Sequence, residues 1–275
     1  MEVCPRPVCG VFYTDVDGTM IDSQYRLDPE APAAAARLQE AGIAVVLVTS
    51  KTLEEALLYV GRLGLRRCPG YAVIAEEGAV IHAPPGVLPE ETIVLGRVSP
   101  EEALSLIPSG CRGRVKPIQW MTVEEVEELT GLPSREAEAA RLRRATVALH
   151  GPRGCLEEGL RRALASGLYA RLGRVFLIVG RHPGKAGAAV ELERRSPRLR
   201  LARLRAAAGD DPMDEELLAL ADLAVVVAEP STGRPRFTPR LQGYVLAEPP
   251  PAGWRRLAER LAGAAASLCG LHAPP

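Results

Sequence analysis

Two aspartates separated by one residue follow a short apolar run near the start of the chain. Residues 8–14 are apolar and β-branched, and Asp15, Asp17, Gly18 and Thr19 come directly after them. Two ionised carboxylates this close repel each other unless a cation lies between them or one is protonated. Mg²⁺ takes oxygen ligands and leaves room for a phosphate oxygen, to which Thr19 offers a hydroxyl. An Asp-Gly turn is the structural alternative; the position after an apolar strand favours a metal-bound phosphate site.

Hydroxyl and ammonium groups recur at similar positions further along the chain. Thr49 and Ser50 follow the apolar run 43–48, where a helix start suits a phosphate and a simple helix cap is the alternative. The chain has 31 arginines but three lysines, and Lys51 and Lys185 lie beside predicted strand ends or helix starts. A compact ammonium can contact a carboxylate and a phosphoryl oxygen together. These lysines are therefore candidates for phosphate chemistry, with a solvated lysine as the alternative.

A second acidic cluster follows an apolar run near residue 208. Asp210, Asp211 and Asp214 lie within five residues, between a predicted strand and a predicted helix. An acidic first helical turn would also explain them, because the helix dipole favours negative charge there. Their density favours a metal site.

The elements between these clusters must bring them to one place. Predicted strands at 8–14, 43–48 and 71–75 alternate with helices, one opening at Asp28 and one with a capping box of Thr52 and Glu55. Strands that alternate with helices form a doubly wound parallel sheet. Ligands bind such a sheet at the carboxyl ends of its strands, where strand order reverses. This architecture places all the clusters at one edge.

The middle of the chain does not alternate in this way, and we interpret it as an inserted α+β cap. The alternation resumes at Pro183, continues through strands near 206–209 and 223–228 and a helix over 212–221, and ends with a helix from 254 to 269. The prediction is thus a doubly wound α/β core of residues 1–84 and 182–275, interrupted by a cap of residues 85–181. Within the cap we predict strands at 92–98, 113–118, 145–150 and 174–180 and helices at 122–130 and 134–144.

Composition limits the classes of function. The net charge of zero argues against nucleic acid as a partner, and no apolar run reaches the ~20 residues that span a bilayer. The first residues lack signal-peptide features, so we expect a cytoplasmic protein, monomer or homodimer, with a small phosphorylated substrate. The absence of Asn indicates a thermophile. We expect six ordinary thiols, although Cys4 and Cys9 could form a bridge.

In their order, these clusters resemble the four motifs of the haloacid dehalogenase superfamily: DxDGT, Thr or Ser, Lys, and GDxxxD. The cap between the second and third motifs resembles the α/β caps of sugar-phosphate phosphatases. Residues 49–52, 121–125, 130–133 and 251–254 resemble the mannosyl-3-phosphoglycerate phosphatases within that superfamily. The chain departs from the family pattern in four places: Glu77 for Asn, Asp211 for Ser, Met213 for Asn, and the lack of a Glu shortly after Arg143.

The resemblance implies a phosphoric monoester hydrolase that uses Mg²⁺ and an aspartyl phosphate, with mannosyl-3-phosphoglycerate as substrate. It implies Asp15 as nucleophile, Asp17 as acid and base, and Thr49 and Lys185 as phosphoryl contacts. Alternatives are a phosphatase for sucrose or trehalose phosphate, a sugar phosphomutase, and a binding module without catalysis. The predicted metal ligands are Asp15, Asp17, Asp210 and Asp214, and the predicted substrate contacts are Thr19, Ser50, Lys51, Gly131, Leu132 and Arg143, with Lys116 and Arg144 as further candidates.

Overall fold

The apolar runs of the sequence form the strands of two sheets in the computed structural model, which describes residues 7–66 and 68–268. The strands are β1 (Gly10–Thr14), β2 (Ile43–Val48), β3 (Tyr71–Ala75), β4 (Val80–His82), β5 (Thr92–Val94), β6 (Lys116–Pro117), β7 (Val147–His150), β8 (Tyr169–Leu172), β9 (Leu177–Gly180), β10 (Leu204–Gly209), β11 (Leu223–Val227) and β12 (Val245–Ala247). The helices are α1 (Ala31–Glu40), α2 (Leu53–Leu63), α3 (Pro100–Ser105), α4 (Val123–Thr130), α5 (Ser134–Ala140), α6 (Arg153–Ala165), α7 (Gly184–Arg195), α8 (Pro197–Arg200), α9 (Glu215–Leu218) and α10 (Ala252–Leu268).

The larger sheet has the order β12-β11-β10-β1-β2-β3-β4-β5. The strands from β12 to β3 are parallel, whereas β4 and β5 form an antiparallel hairpin at one edge. Strand order reverses between β10 and β1, because the chain proceeds outward in opposite directions from these two strands. Thr14 pairs with both Leu47 and Ala208, so the carboxyl ends of β1, β2 and β10 are level. This is the edge at which a doubly wound sheet binds ligands.

Helices cover both faces of this sheet. Strands β1 and β2 are fully buried, and alternate side chains of each strand enter cores on opposite faces. Helices α1, α2 and α10 pack on one face, and α7, α8 and α9 pack on the other. The indole of Trp254 on α10 donates to the Thr14 hydroxyl at 2.9 Å and stacks on Phe12. These two contacts fix the carboxyl end of β1 against α10.

The cap sheet has the order β6-β7-β9-β8 and is antiparallel. Its two faces are both apolar, because alternate residues of β7 and β9 enter different cores. Helices α3 and α6 cover one face, and α4 and α5 pack on the other. Within the described residues, no helix is both long enough and apolar enough to cross a membrane.

Several predicted bounds are confirmed. Strands β2 and β3 have the predicted limits, and the Thr52–Glu55 capping box at the start of α2 is present, with both reciprocal hydrogen bonds. Helix α1 begins at Ala31 rather than near Asp28, because Asp28 accepts from the Glu30 and Ala31 backbone N–H groups in a preceding turn. The predicted helix over 212–221 is a short 3₁₀ turn followed by α9.

The first predicted boundary between core and cap was wrong. The Pro-Pro-Gly sequence at 84–86 is the turn of the β4–β5 hairpin, where the Val87 N–H donates to the Pro84 carbonyl. The strand predicted at 92–98 therefore belongs to the core sheet as β5, which ends at Val94. Breaks rich in Pro and Gly end either a hairpin or a domain, and the sequence does not distinguish these.

Three further expectations of the cap and its cysteines also need correction. Helices α3 and α6 and strand β8 were missed. Helix α5 ends at Ala140 rather than 144, because residues 144–146 donate to a core carboxylate. Cys111 and Cys155 are joined by a disulfide, so these two are not ordinary thiols, and Cys9 and Cys68 are disulfide-bonded as well. Cys4 and Cys269 lie outside the described residues.

Candidate active site

The four predicted motifs meet at the edge where the parallel strands end. Asp15 follows β1, Thr49 follows β2, and Asp210 follows β10, while Lys185 lies in the first turn of α7. All four side chains are buried. The geometry thus assembles residues that are up to 195 positions apart in sequence.

Lys185 makes two ion pairs at the centre of this group. Its Nζ is 2.7 Å from Asp15 Oδ1 and 2.7 Å from Asp214 Oδ1. Burial disfavours the charged ammonium, but the two carboxylates outweigh burial and raise the pKa of Lys185 well above its usual value. Burial also raises the pKa of Asp15, against the effect of Lys185, and the nearby Asp214 and Asp210 raise it further. One cation therefore neutralises only part of the local negative charge.

Asp210 is held by three groups. Its Oδ1 accepts from the Thr19 hydroxyl at 3.3 Å, its Oδ2 lies 3.2 Å from Arg236 Nη1, and its backbone N–H donates to Asp214 Oδ2. Burial, followed by the charge of Asp214, raises the pKa of Asp210 from 3.8 to about 6. Thr19, which we predicted to contact substrate, is fully buried against this carboxylate.

Gly18 allows Asp210 to approach the DxDGT loop. Its φ of +80° lies in the left-handed region, and a Cβ at this position would come within 2.4 Å of Asp210 Oδ2. A side chain would therefore displace one of the site's carboxylates. The motif requires glycine here for both conformation and space.

The carboxylates fit a divalent cation. One oxygen each from Asp15, Asp210 and Asp214 lies within 4.8 Å of the others, and all three residues are buried. An all-oxygen donor set with an excess of negative charge suits Mg²⁺. Burial raises the pKa values of Asp15 and Asp210, and the neighbouring carboxylates raise them further, an effect that a bound dication would oppose.

Asp17 faces a cavity of about 640 Å³ between core and cap. Its side chain is 41% exposed, and its Oδ1 lies 3.0 Å from Lys51 Nζ. Lys51 itself is buried, 3.7 Å from Glu55 Oε1 and beside the ring of Tyr25. Lys51, which we predicted to contact the substrate, thus lines the cavity and forms an ion pair with Asp17.

The turn after β3 binds the cap through two successive glutamates. Glu76 is fully buried and accepts from the backbone N–H groups of residues 144–146 and from the Thr146 hydroxyl. Glu77, which replaces the family's Asn, is paired with Arg171 Nη2 at 2.6 Å and accepts from the Tyr169 hydroxyl. Burial opposes ionisation of Glu77, but Arg171 outweighs it, so the pKa of Glu77 is lowered. The negative charge that Glu77 introduces in place of the neutral Asn is therefore balanced by Arg171 of the cap.

The predicted cap contacts separate into two groups. Leu132 and Arg143 line the cavity with Ser50, whereas Gly131 ends α4 in a left-handed conformation and is absent from the lining. Arg143 is buried, and its guanidinium donates to Thr146 Oγ1 and to the Ser50 carbonyl, so it is committed to structure.

The two further candidates in and beside the cap do not line the cavity. Lys116 pairs with Glu125, and Arg144 pairs with Glu54. Each of these cations therefore has a carboxylate partner away from the site.

Sequence reasoning missed Arg171, Arg174 and Arg236, which also line the cavity. With 31 arginines in the chain, the presence of any one of them carries no signal. Arg171 could have been found only by asking what balances the charge of Glu77.

Comparison with known proteins agrees with this geometry. Residues 12–111 match the family described as haloacid dehalogenase-like hydrolase. The core topology, the inserted cap and the order of the four motifs are likewise similar to those of haloacid dehalogenase-like hydrolases.

Among curated proteins, a glucosyl-3-phosphoglycerate/mannosyl-3-phosphoglycerate phosphatase of Persephonella marina is 32% identical over 143 residues. The match covers 48% of this chain and 52% of the relative, so the chain spans about half the length of that relative.

Solved structures share the fold at low identity. A protein of Thermotoga maritima superposes with a TM-score of 0.66 at 14% identity, covering 91% of this chain and 96% of its own. A haloacid dehalogenase-like hydrolase of Bacteroides thetaiotaomicron gives a TM-score of 0.65 at 17% identity, covering 91% and 98%.

Proposed function

We propose that this chain is a Mg²⁺-dependent phosphatase that hydrolyses mannosyl-3-phosphoglycerate to mannosylglycerate and phosphate through an aspartyl phosphate on Asp15. The observation that carries the proposal is the buried Lys185, which bridges Asp15 and Asp214 beside Asp210 at the carboxyl ends of the strands. This arrangement supports a nucleophilic carboxylate whose negative charge is partly neutralised by Lys185 for attack on a phosphate dianion.

In the first step, an oxygen of Asp15 attacks phosphorus and the bond to the leaving oxygen breaks. Asp17 faces the cavity and gives its proton to that oxygen. In the second step, water attacks phosphorus, Asp17 takes a proton from the water, and the bond between phosphorus and the Asp15 oxygen breaks. Asp17 thus acts as acid and then as base, as a two-step displacement requires.

Mg²⁺ would be held by the Asp15 and Asp210 carboxylates and the Asp17 carbonyl, with Asp214 in support. When bound, it supplies positive charge to the transferring phosphoryl group. Lys185 and Thr49 lie at the same edge and neutralise or bind the phosphoryl oxygens. The hydroxyl of Thr49 accepts from the Lys51 N–H at 3.1 Å, which leaves its own proton available to a phosphoryl oxygen.

The substrate assignment is supported by the similarity to the Persephonella marina protein, a glucosyl-3-phosphoglycerate/mannosyl-3-phosphoglycerate phosphatase. The cavity of about 640 Å³ lies within the range of small-molecule sites and accommodates a glycosylated phosphoglycerate. Its wall combines arginines with apolar residues of the cap, which suits a sugar that carries negative groups.

The experiment is a measurement of phosphate release from mannosyl-3-phosphoglycerate, glucosyl-3-phosphoglycerate, and sucrose, trehalose and hexose phosphates, with Mg²⁺ and with a chelator. We expect the highest kcat/KM for the glycosyl-3-phosphoglycerates and loss of turnover with chelator. Activity restricted to the hexose and disaccharide phosphates would contradict the substrate assignment. Turnover that required a sugar bisphosphate would indicate a phosphomutase instead.

A further inference from the structure

The hairpin of β8 and β9 brings two arginines of the cap to the substrate cavity. Arg171 on β8 and Arg174 in the turn after it both line this space, and Phe176 lies beside them. The catalytic carboxylates lie on the core, so the hairpin faces the part of a substrate that leaves with the oxygen.

Arg171 is fixed in orientation by a core residue. Its Nε and Nη2 lie 3.0 and 2.6 Å from Glu77 Oε1, and the Glu77 side chain is 1% exposed. Nη1 makes no hydrogen bond with the described residues, and the side chain is 30% exposed at the cavity wall. A guanidinium held along one edge in this way presents its remaining N–H groups with little loss of side-chain entropy.

Arg174 differs from the other cations of the cavity. Lys51 is paired with Asp17, Arg236 with Asp210, and Arg171 with Glu77, while Arg143 is buried in hydrogen bonds to neighbouring oxygens. Arg174 makes no ion pair or hydrogen bond with any described residue. Its charge at the cavity wall is therefore not neutralised by the described part of the protein.

We propose that the β8–β9 hairpin is a subsite for a second anionic group of the substrate, a carboxylate on the leaving group, held by Arg171 Nη1 and Arg174. The inference rests on the proposed phosphatase function and specifies its substrate class. A planar carboxylate matches the N–H groups of guanidinium, and charge-assisted pairs of this kind are strong. Glu77 is then a positioning residue, because it sets the direction of Arg171.

The test compares two esters that differ by one carboxylate, 3-phosphoglycerate and glycerol 3-phosphate. The wild-type protein is expected to prefer 3-phosphoglycerate in kcat/KM, and Arg174→Ala to lower that preference about tenfold to a hundredfold. The matched control is Arg135→Ala, because Arg135 on α5 is exposed, unpaired among the described residues and absent from the cavity lining. Its preference should equal that of the wild type.

Calorimetric binding of both esters to the Asp15→Asn protein measures the same preference without turnover. If the wild type hydrolyses neither ester nor mannosyl-3-phosphoglycerate, but Asp15→Asn binds 3-phosphoglycerate more tightly through Arg174, the proposed function fails and the subsite stands. A wild type without preference, or Arg174→Ala with an unchanged preference in both assays, would overturn the subsite alone. Because Arg174 is exposed, its variant should unfold at the wild-type midpoint.

Discussion

At the scale of single residues, Lys185 controls the charge balance of the site. It lies within 2.7 Å of both Asp15 and Asp214, and all three are buried. Its removal leaves two buried carboxylates without this counter-charge. The same contact would orient Asp15 for attack, so stability and activity depend on one ammonium.

We therefore predict that Lys185→Met lowers the free energy of unfolding by about 3–5 kcal/mol and kcat by at least about a hundredfold. Urea unfolding and phosphate release measure the two effects. The control is Lys116→Met, whose ion pair with Glu125 has both side chains 43% exposed and should cost less than about 1 kcal/mol. Equal stability losses in the two variants would contradict a buried charge triad.

Gly18 makes a second residue-scale prediction. In Gly18→Ala the new Cβ would lie 2.4 Å from Asp210 Oδ2, so the carboxylate or the loop must move. Displacement of this size should lower kcat/KM about a hundredfold and weaken Mg²⁺ binding in calorimetry. Gly61→Ala in the interior of α2 is the control, because nothing lies within 4 Å of its Cβ, and it should gain about 0.5–1 kcal/mol of stability. Wild-type Mg²⁺ affinity in Gly18→Ala would refute the steric argument.

The residues that the sequence indicated best are those whose type is unusual at their position. Asp15, Asp17 and Gly18 form a dense motif, and Lys185 stood out because lysine is rare in this chain. Arg174 and Arg171 carried no such signal, since the chain has 31 arginines. Their place at the cavity follows from the packing of cap on core, which local sequence patterns do not encode.

At the scale of elements, the turn after β3 connects the core to the cap. Glu76 and Glu77 both have positive φ, at 52° and 62°, and both side chains are used by cap groups. These contacts explain why two residues other than glycine adopt a strained, left-handed backbone conformation. The turn is also pressed against α7, since a Cβ on Gly78 would lie 2.3 Å from the Gly184 carbonyl.

His182, between β9 and α7, links the same turn to the pH dependence of stability. The Gly184 N–H donates to His182 Nδ1, and the ring packs on Tyr169. Burial lowers the pKa of His182 from 6.5 to about 4, although Glu77 and Glu76 oppose the change. Between about pH 4 and pH 6.5, the imidazole of His182 is therefore neutral in the folded protein but protonated in the unfolded chain.

Because the pKa is lowered on folding, this contribution to stability is complete above about pH 6.5 and is lost as the pH falls towards 4. The loss amounts to at most about 3 kcal/mol. His182→Asn keeps an acceptor for the Gly184 N–H but does not titrate, so its urea midpoint should change less between pH 7 and pH 4.5. Parallel pH profiles of variant and wild type would exclude His182 as the source.

The prediction of helices and strands succeeded where the local sequence pattern alone determines the element. The apolar run 43–48 is a strand with the predicted limits, because burial on both faces removes alternation. It failed for α5, which stops at Ala140 when Glu76 captures the following N–H groups, and for the turn at 84–86, where proline and glycine close a hairpin. Both failures come from partners distant in sequence.

At the scale of the whole molecule, the cap is docked on the core by polar contacts that surround the cavity. The Tyr25 hydroxyl donates to the Thr130 carbonyl, the Thr52 hydroxyl donates to the Ala139 carbonyl, and Arg62 is paired with Glu136. Through these contacts, cap residues cover the edge of the sheet at which the parallel strands end. In the proposed reaction, the core supplies the reacting groups, and the cap surrounds the leaving group.

The cap has its own covalent restraint. The disulfide between Cys111 and Cys155 closes a loop with a sequence separation of 44 and joins the turn before β6 to α6. A loop of this length is expected to contribute about 4 kcal/mol by restricting the unfolded chain. The double variant Cys111→Ala, Cys155→Ala should lose about this amount in thermal or urea unfolding without reductant. An unchanged midpoint would indicate that cap packing alone determines stability.

The central claim is that Asp15 becomes phosphorylated during turnover. The most direct measurement is acid quenching of the wild-type protein with Mg²⁺ and ³²P-labelled mannosyl-3-phosphoglycerate, followed by mapping of the labelled peptide. The account predicts label on Asp15 in the wild type and none in Asp15→Asn, with phosphate release by that variant reduced by roughly a thousandfold or more. Full turnover by Asp15→Asn, or label on another residue, would contradict it.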